Sequence, residues 1–108
     1  MSFDDLVKGI DLFITNQGGY WNSAWILAAL TEELGELSRS LQSYEGLRET
    51  NTPIIPKSKI DQVEEECGDL LFALICLTNS LGLNLKKAGF KTLNKYKTRA
   101  ADLNHTER

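Results

Sequence analysis

One short acidic pattern occurs twice in this chain, at an offset of 33 residues. Residues 32–37 read Glu-Glu-Leu-Gly-Glu-Leu, and residues 65–70 read Glu-Glu-Cys-Gly-Asp-Leu. Each copy lies within an apolar stripe whose residues recur at the alternating three- and four-residue spacing of a packed helix. Because the stripes repeat at the same offset, two helices are expected to present matching carboxylate pairs to one shared seam. Packed side by side, these helices would bring four carboxylates together.

The remainder of the chain is expected to complete a helical bundle around this seam. The four predicted helices run from about Ser2 to Thr15, from Asn22 or Ser23 to Gly46, from Ser58 to Gly82, and from Asn84 to about Leu103. The two central stripes are Leu27, Leu30, Leu34, Leu37, Leu41 and Tyr44, and Ile60, Val63, Cys67, Leu70, Leu74, Leu77 and Leu81. The segment 47–57 contains both prolines and is expected to be a loop. No stretch alternates as a strand would, so the expected fold is an all-α bundle of about four helices, forming a single domain over residues 1–108.

The third predicted helix is apolar on every side between residues 70 and 77. A helix that is apolar all round is normally buried all round, which a small four-helix monomer cannot achieve. We therefore expect a second protein surface against this helix, most simply another copy of the chain.

Composition and charge narrow the classes of function. No segment approaches the roughly 18 consecutive apolar residues of a membrane span, and the acidic start of the chain does not resemble a signal peptide. A cytoplasmic protein with reduced thiols at Cys67 and Cys76 is expected. From Lys86 onward there are seven basic and two acidic residues, a basic segment that a nucleic-acid binder would also have. The overall pI near 5.1 argues against nucleic acid as the partner.

The carboxylate pairs lie at the edge of the predicted core rather than on a fully solvated face. Around its helix, Glu33 lies only about 40° from Leu37, and Glu66 lies at the same angle from Leu70. A lone pair at this spacing is usually a solvated helix face. Each pair also encloses a glycine, which costs about 1 kcal/mol inside a helix, so we expect either the facing helix or a ligand to approach the backbone closely there.

Four carboxylates without a thiolate or histidine suit a hard cation, Mg²⁺ or Mn²⁺. The one histidine, His105, is near the C-terminal end, which argues against a di-iron bundle. Mg²⁺ commonly binds through carboxylates together with substrate phosphates. Carboxylates beside lysines and arginine therefore indicate a phosphate ester attacked by a metal-activated water.

The paired motif, Glu33-x-x-Glu36 followed by Glu66-x-x-Asp69, resembles that of the MazG-like branch of the all-α nucleoside triphosphate pyrophosphohydrolases. Dimeric dUTPases and dCTP pyrophosphatases belong to the same superfamily. The resemblance extends from about residue 21 to residue 99. It implies hydrolysis between the α and β phosphates of a nucleoside triphosphate, giving a monophosphate and pyrophosphate. It also implies Mg²⁺ held by these four carboxylates and assembly as a dimer or a dimer of dimers.

The resemblance also indicates substrate contacts. In the similar dCTP pyrophosphatases aromatic side chains near this point stack on the base, and here Trp21 and Trp25 occupy that region; the alternative places them in the core or in a dimer interface. The final helix often supplies a lysine, and sometimes an asparagine, to the phosphates. The candidates here are Lys91, Asn94, Lys95 and Arg99, although a solvated stripe explains their spacing equally well.

Glu32 and Glu65 point further outward than the paired carboxylates, and either could orient the attacking water or simply be solvated. Glu32 is the preferred candidate for the group that orients or deprotonates the attacking water.

The alternative to an enzyme is a helical dimerisation module in which the carboxylates pair with lysines of the fourth helix. That alternative explains the charge asymmetry without a metal, but it explains the two matched glycines poorly.

Overall fold

The computed structural model describes residues 1–50 and 53–106, and this part of the chain forms four α-helices and no strand. The helices are α1 (Phe3–Asn16), α2 (Ser23–Glu49), α3 (Lys57–Ser80) and α4 (Leu85–Thr106). The all-α, four-helix prediction is confirmed.

Short polar side chains begin three of the helices in the way their sequences predict. Ser2 and Asp5 form a reciprocal capping box at α1, with each side chain bonded to the backbone N–H of the other. Asn22 caps α2 by accepting a hydrogen bond from the N–H group two residues on, at 2.8 Å. Asn84 caps α4 by accepting from the N–H group three residues on, at 2.9 Å.

The end of α3 also follows the prediction. Gly82 adopts the left-handed conformation, with φ of 67°. The N–H of Leu83 donates to the carbonyl of Thr78 at 2.9 Å, which closes the helix in a Schellman motif.

Two predicted boundaries are wrong. Gly46 does not end α2, which continues to Glu49 because the glycine carbonyl still accepts a helical hydrogen bond from Thr50 at 3.3 Å. Ser58 does not begin α3; the helix begins at Lys57, and Pro56 holds the preceding cap position without a side-chain hydrogen bond. The connection is therefore residues 50–56, shorter than the expected 47–57, and its residues 51 and 52 lie outside the described residues.

The helices α2 and α3 form an antiparallel pair. Lys59 of α3 donates to Ser43 of α2 at 3.2 Å. Glu33 lies ten residues before Ser43 in α2, and Asp69 lies ten residues after Lys59 in α3. The side chains of Glu33 and Asp69 also come together. This antiparallel register places one carboxylate motif opposite the other.

The buried core lies at one end of this pair, where α1 crosses α3. Its members are Ile10, Ile26, Ile75 and Cys76. Several residues of the predicted stripes remain exposed in the single chain, namely Leu27, Leu34, Leu41, Ile60, Cys67 and Leu81. Their predicted burial is wrong for one chain, because α1 covers only one end of the α2–α3 pair and α4 packs along neither helix.

The fourth helix extends away from the other three. The sequence pattern predicts that Leu93, Tyr96, Ala100 and Leu103 of this helix face inward. Leu93, Tyr96 and Leu103 are 46%, 57% and 61% exposed, so this face meets no core among the described residues of the chain. No single described helix is long and apolar enough to cross a membrane, although α3 and α4 pass that test together as a pair bent by 107°.

Candidate active site

Three carboxylates converge where α2 and α3 face each other. Glu33 on α2 and Glu66 and Asp69 on α3 each offer an oxygen atom, and these three atoms lie within 4.8 Å of one another. Glu33 and Glu66 are half-buried and Asp69 is exposed. The arrangement follows from the antiparallel register, which brings the two motifs to the same level of the seam. Oxygen ligands at this spacing suit a hard divalent cation.

The charges of this cluster are not balanced by neighbouring cations. Partial burial raises the pKa of Glu66, and the negative charges of Asp69, Glu36, Glu33 and Glu65 raise it further. In the described part of the chain, no ion pair joins a lysine or arginine to Glu33, Glu66 or Asp69. The carboxylate–lysine network of the non-enzymatic alternative therefore does not form among the described residues of a single chain.

The fourth predicted ligand, Glu36, is turned toward a different partner. Its carboxylate accepts a hydrogen bond from the Arg39 guanidinium on the exposed face of α2. Glu36 nevertheless lies close enough to contribute to the raised pKa of Glu66. The competing pair was readable from the sequence, since an arginine three residues after a glutamate is a common helical ion pair.

An apolar cavity of about 270 Å³ opens beside the three carboxylates. Glu33 and Asp69 line one part of it, and Tyr20, Trp21 and Phe72 supply aromatic walls. The cavity can therefore hold a flat apolar group next to the three carboxylates. The buried thiol of Cys76 also lines the cavity, and burial raises its pKa, as expected for a reduced core cysteine.

Sequence reasoning missed Tyr20, Phe72 and Asn79. The hydroxyl of Tyr20 donates to Asp11 at 2.6 Å and accepts from the amide nitrogen of Asn79 at 3.1 Å. Burial, helped by the interaction with Asp11, raises the pKa of Tyr20 to about 12, so the hydroxyl stays protonated. For Tyr20 the sequence did contain a signal, namely an aromatic residue directly after two glycines at the point where two helices connect.

The structure separates the two tryptophans. Trp21 lines the cavity and is 69% exposed, whereas Trp25, one turn further on, is 70% exposed and lies outside the cavity lining. Glu32 is exposed beside Glu33 and does not belong to the group of three converging carboxylates.

The predicted phosphate contacts lie on the projecting helix α4. Lys95 and Arg99 lie over the ring of Tyr96, with distances to its centroid of 5.1 and 5.6 Å. Lys91 and Asn94 are exposed on the same helix. None of the four lines the cavity, and among the described residues none of them forms an ion pair with Glu33, Glu66 or Asp69. The side chain of His105 lies outside the described residues.

The profile of the MazG nucleotide pyrophosphohydrolase domain matches residues 22–103, which include both carboxylate motifs and most of α4. The chain belongs to the MazG family. The resemblance inferred from the paired motif is thereby confirmed. In this family context the three converging carboxylates and the adjoining cavity form the candidate active site of a nucleotide pyrophosphohydrolase.

Solved MazG structures share the fold. The chain is 34% identical to a Bacillus-conserved MazG protein, a nucleotide pyrophosphohydrolase, with a TM-score of 0.73 over 89% of this chain and 90% of that one. It is 35% identical to the putative pyrophosphatase YpjD of Bacillus subtilis, with a TM-score of 0.73 over 89% of this chain and 95% of that one. A curated relative, the uncharacterized protein YpjD of Bacillus subtilis (strain 168), is 37% identical over 99 residues, which cover 91% of this chain and 86% of the relative.

Proposed function

We propose that this protein hydrolyses a nucleoside or deoxynucleoside triphosphate to the nucleoside monophosphate and pyrophosphate, with Mg²⁺ as its cofactor and Mn²⁺ as a substitute. The observation that carries the proposal is the convergence of Glu33, Glu66 and Asp69 within 4.8 Å, next to an apolar cavity, in a MazG-family chain. The cavity suits a nucleobase, and the carboxylates suit the cation that accompanies a triphosphate.

Glu33, Glu66 and Asp69 hold the cation in this proposal, and Glu36 joins them by leaving Arg39. The Glu36–Arg39 pair is exposed, and exposed pairs at this spacing contribute little to stability, so the pair does not lock Glu36 in place. When bound, the cation neutralises phosphate charge and makes a water molecule more acidic. Glu32, exposed beside Glu33, is the proposed group that accepts the proton of the attacking water.

The nucleobase occupies the cavity in this proposal, with Trp21 stacking on it. The triphosphate then extends toward Glu33 and Asp69, which line the same cavity. Trp25 lies outside the cavity, so its proposed contact with the substrate requires a part of the nucleotide that extends beyond the cavity wall.

The phosphate-binding role proposed for Lys91, Asn94, Lys95 and Arg99 depends on self-association. Within one chain α4 leaves α3 at a sharp bend and packs along neither central helix. We therefore propose that the protein is a homodimer or homotetramer, in which α4 of one copy meets the three carboxylates of another. The negative cluster on α2 and α3 and the basic α4 are complementary in charge.

A panel of common and damaged nucleoside triphosphates tests this function. Each is incubated with the purified protein in Mg²⁺, in Mn²⁺ and in EDTA, and the products are identified by phosphorus NMR. We expect pyrophosphate and a monophosphate from at least one substrate, and only with a divalent cation. Orthophosphate and a diphosphate would overturn the assignment of the cleaved bond. The absence of turnover on the whole panel would favour the helical dimerisation module.

A further inference from the structure

One wall of the cavity is formed by the connection between α1 and α2 rather than by a helix. Gly19, Tyr20 and Trp21, all in this connection, line the cavity. Gly18 and Gly19 have φ values of 109° and 95°, a region that glycine enters far more readily than other residues. Two glycines leave the backbone many alternative conformations. The position of this wall therefore depends on the side chains that anchor it.

Tyr20 is the residue that anchors the connection to the helices. Its side chain packs against the buried core cluster. Its hydroxyl donates to Asp11 of α1 at 2.6 Å and accepts from Asn79 of α3 at 3.1 Å. The same amide nitrogen of Asn79 donates to the carbonyl of Val7 at 3.3 Å. One hydroxyl thus joins the cavity wall to two helices.

Trp21 has no comparable anchor of its own. It is 69% exposed, and no hydrogen bond joins its indole nitrogen to another residue that the structure describes. Along the chain it lies between Tyr20 and Asn22, and Asn22 is fixed as the cap of α2 by a 2.8 Å hydrogen bond. The backbone on either side of Trp21 is therefore held by these two neighbours.

We propose that Tyr20 is a positioning residue for nucleotide binding, which holds Trp21 and the adjoining backbone in place for the nucleobase before the substrate arrives. The inference rests on the proposed function, because it concerns the substrate of that site. A preformed surface binds more tightly than one that must be ordered during binding, since the ordering cost has already been met in folding. Tyr20 acts through Trp21 and not on the phosphates.

The variant Tyr20→Phe tests this role, because it removes one oxygen atom and both hydrogen bonds while keeping the ring in the core. We expect KM to rise about fivefold to tenfold, the range for losing one or two hydrogen bonds. We expect kcat to change by less than about twofold, and Mn²⁺ affinity without nucleotide, measured by electron paramagnetic resonance, to stay the same. Tyr44→Phe, at a half-buried tyrosine of α2 outside the cavity lining, is the matched control.

A double-mutant cycle with Trp21→Ala separates positioning from a purely structural role. If Tyr20 acts through Trp21, Tyr20→Phe should raise KM by less than about twofold once Trp21 is absent. Asp11→Ala, which removes the exposed acceptor of the Tyr20 hydroxyl without touching the core, should produce part of the Tyr20→Phe effect. These readouts would not respond to a general loss of stability.

The outcomes distinguish this inference from the proposed function. If the wild-type protein releases no pyrophosphate, both fail. If it is active and Tyr20→Phe lowers the melting temperature without raising KM, only the positioning role is overturned. If Tyr20→Phe raises KM equally with and without Trp21, Tyr20 contacts the substrate itself, and the positioning role is again wrong.

Discussion

The oxygen atoms of Glu33, Glu66 and Asp69 lie within 4.8 Å of one another, and like charges at such a distance repel. No lysine or arginine among the described residues pairs with these three side chains. The folded protein can relieve the repulsion by binding a proton or a cation. This crowding separates the three residues from ordinary solvated carboxylates on a helix surface.

The first prediction concerns the pH dependence of stability without metal. The pKa of Glu66 is raised by burial and by its acidic neighbours, so the folded state binds this proton more tightly than the unfolded state. Its stabilising contribution should be fully present below the ordinary glutamate pKa and lost as pH rises through the raised value. Glu66→Gln should remove that part of the profile. Urea denaturation in EDTA between about pH 4 and pH 7 measures the difference; identical profiles for the two proteins would contradict the prediction.

The second prediction concerns the base contact. Trp21→Ala should raise KM by about tenfold, as expected for the loss of one stacking contact of 1–3 kcal/mol, and should change kcat little. Nucleotide should also quench tryptophan fluorescence in a Trp25→Phe variant. The chain has two tryptophans, so Trp21 is the one that remains in this variant. The matched control is Trp25→Ala, which lies outside the cavity and should raise KM less. A folded Trp21→Ala variant with unchanged KM would remove Trp21 from the site.

Among individual residues, the sequence predicted the positions of the carboxylates better than it predicted their partners. The repeated motif predicted that Glu33, Glu66 and Asp69 come together, and they do, because helical spacing and a shared seam determine which side chains can meet. Whether Glu36 pairs with Arg39 or turns toward the other carboxylates is not decided by helical spacing, and in the structure it pairs with Arg39. Tyr20 was missed because its role arises from contacts with two helices that are distant in sequence.

At the scale of the helices, the two matched glycines remain the least explained feature. The sequence predicted that the facing helix or a ligand approaches their backbone. A Cβ atom built on Gly35 or Gly68 meets no atom of another described element within 4 Å, so the facing helix of the same chain is not the reason. A ligand or another copy of the chain is the remaining explanation.

The third prediction follows from this open space. Gly68→Ala should stabilise an isolated chain by up to about 1 kcal/mol, because alanine favours the helix more than glycine does. Gly9→Ala in α1, where a Cβ also meets no atom within 4 Å, is the matched control. If the substrate approaches Gly68, its variant should also raise KM while the Gly9 variant does not. Equal kinetics for both variants would show that no substrate comes near this backbone.

Helix boundaries were predictable where a local signal acts alone. Asn22, Asn84 and Gly82 occupy the predicted cap and stop positions, because hydrogen bonds within a few residues decide such ends. Gly46 failed as a stop signal because one glycine inside a helix carries a modest cost that continuing hydrogen bonds outweigh.

At the scale of the whole molecule, α4 is the element that a single chain leaves without a core. An apolar groove lies between α3 and α4, lined by Phe3, Leu71, Leu74, Leu85, Phe90 and Leu93 among others. No other described element covers this groove, so the face of α4 that was predicted to point inward, which includes Leu93, stays exposed. What covers this groove could not be predicted from the sequence, because an apolar stripe does not specify what packs on it.

The fourth prediction is that this groove is covered by self-association. Sedimentation equilibrium at micromolar concentration should give a multiple of the 12.1 kDa chain mass. Phe90→Asp should shift the mass toward that of a single chain while helical circular dichroism is retained, because a charge is costly to bury in an apolar interface. Thr98→Asp, on the same helix but outside the groove lining, is the control. A wild-type mass of 12.1 kDa would contradict the prediction.

The central proposal is that Glu33, Glu66 and Asp69 hold the cation required for pyrophosphate release. The most direct test compares the wild-type protein with Glu66→Gln, measuring pyrophosphate release together with melting curves in Mg²⁺ and in EDTA. This cation-binding role predicts at least about a hundredfold loss of activity in the variant and little or no stabilisation of the variant by Mg²⁺. It also predicts an EDTA melting temperature equal to or above that of the wild-type protein, because one repelling charge is gone. A variant that keeps its activity, or one that melts earlier in EDTA while Mg²⁺ stabilises neither protein, would contradict it.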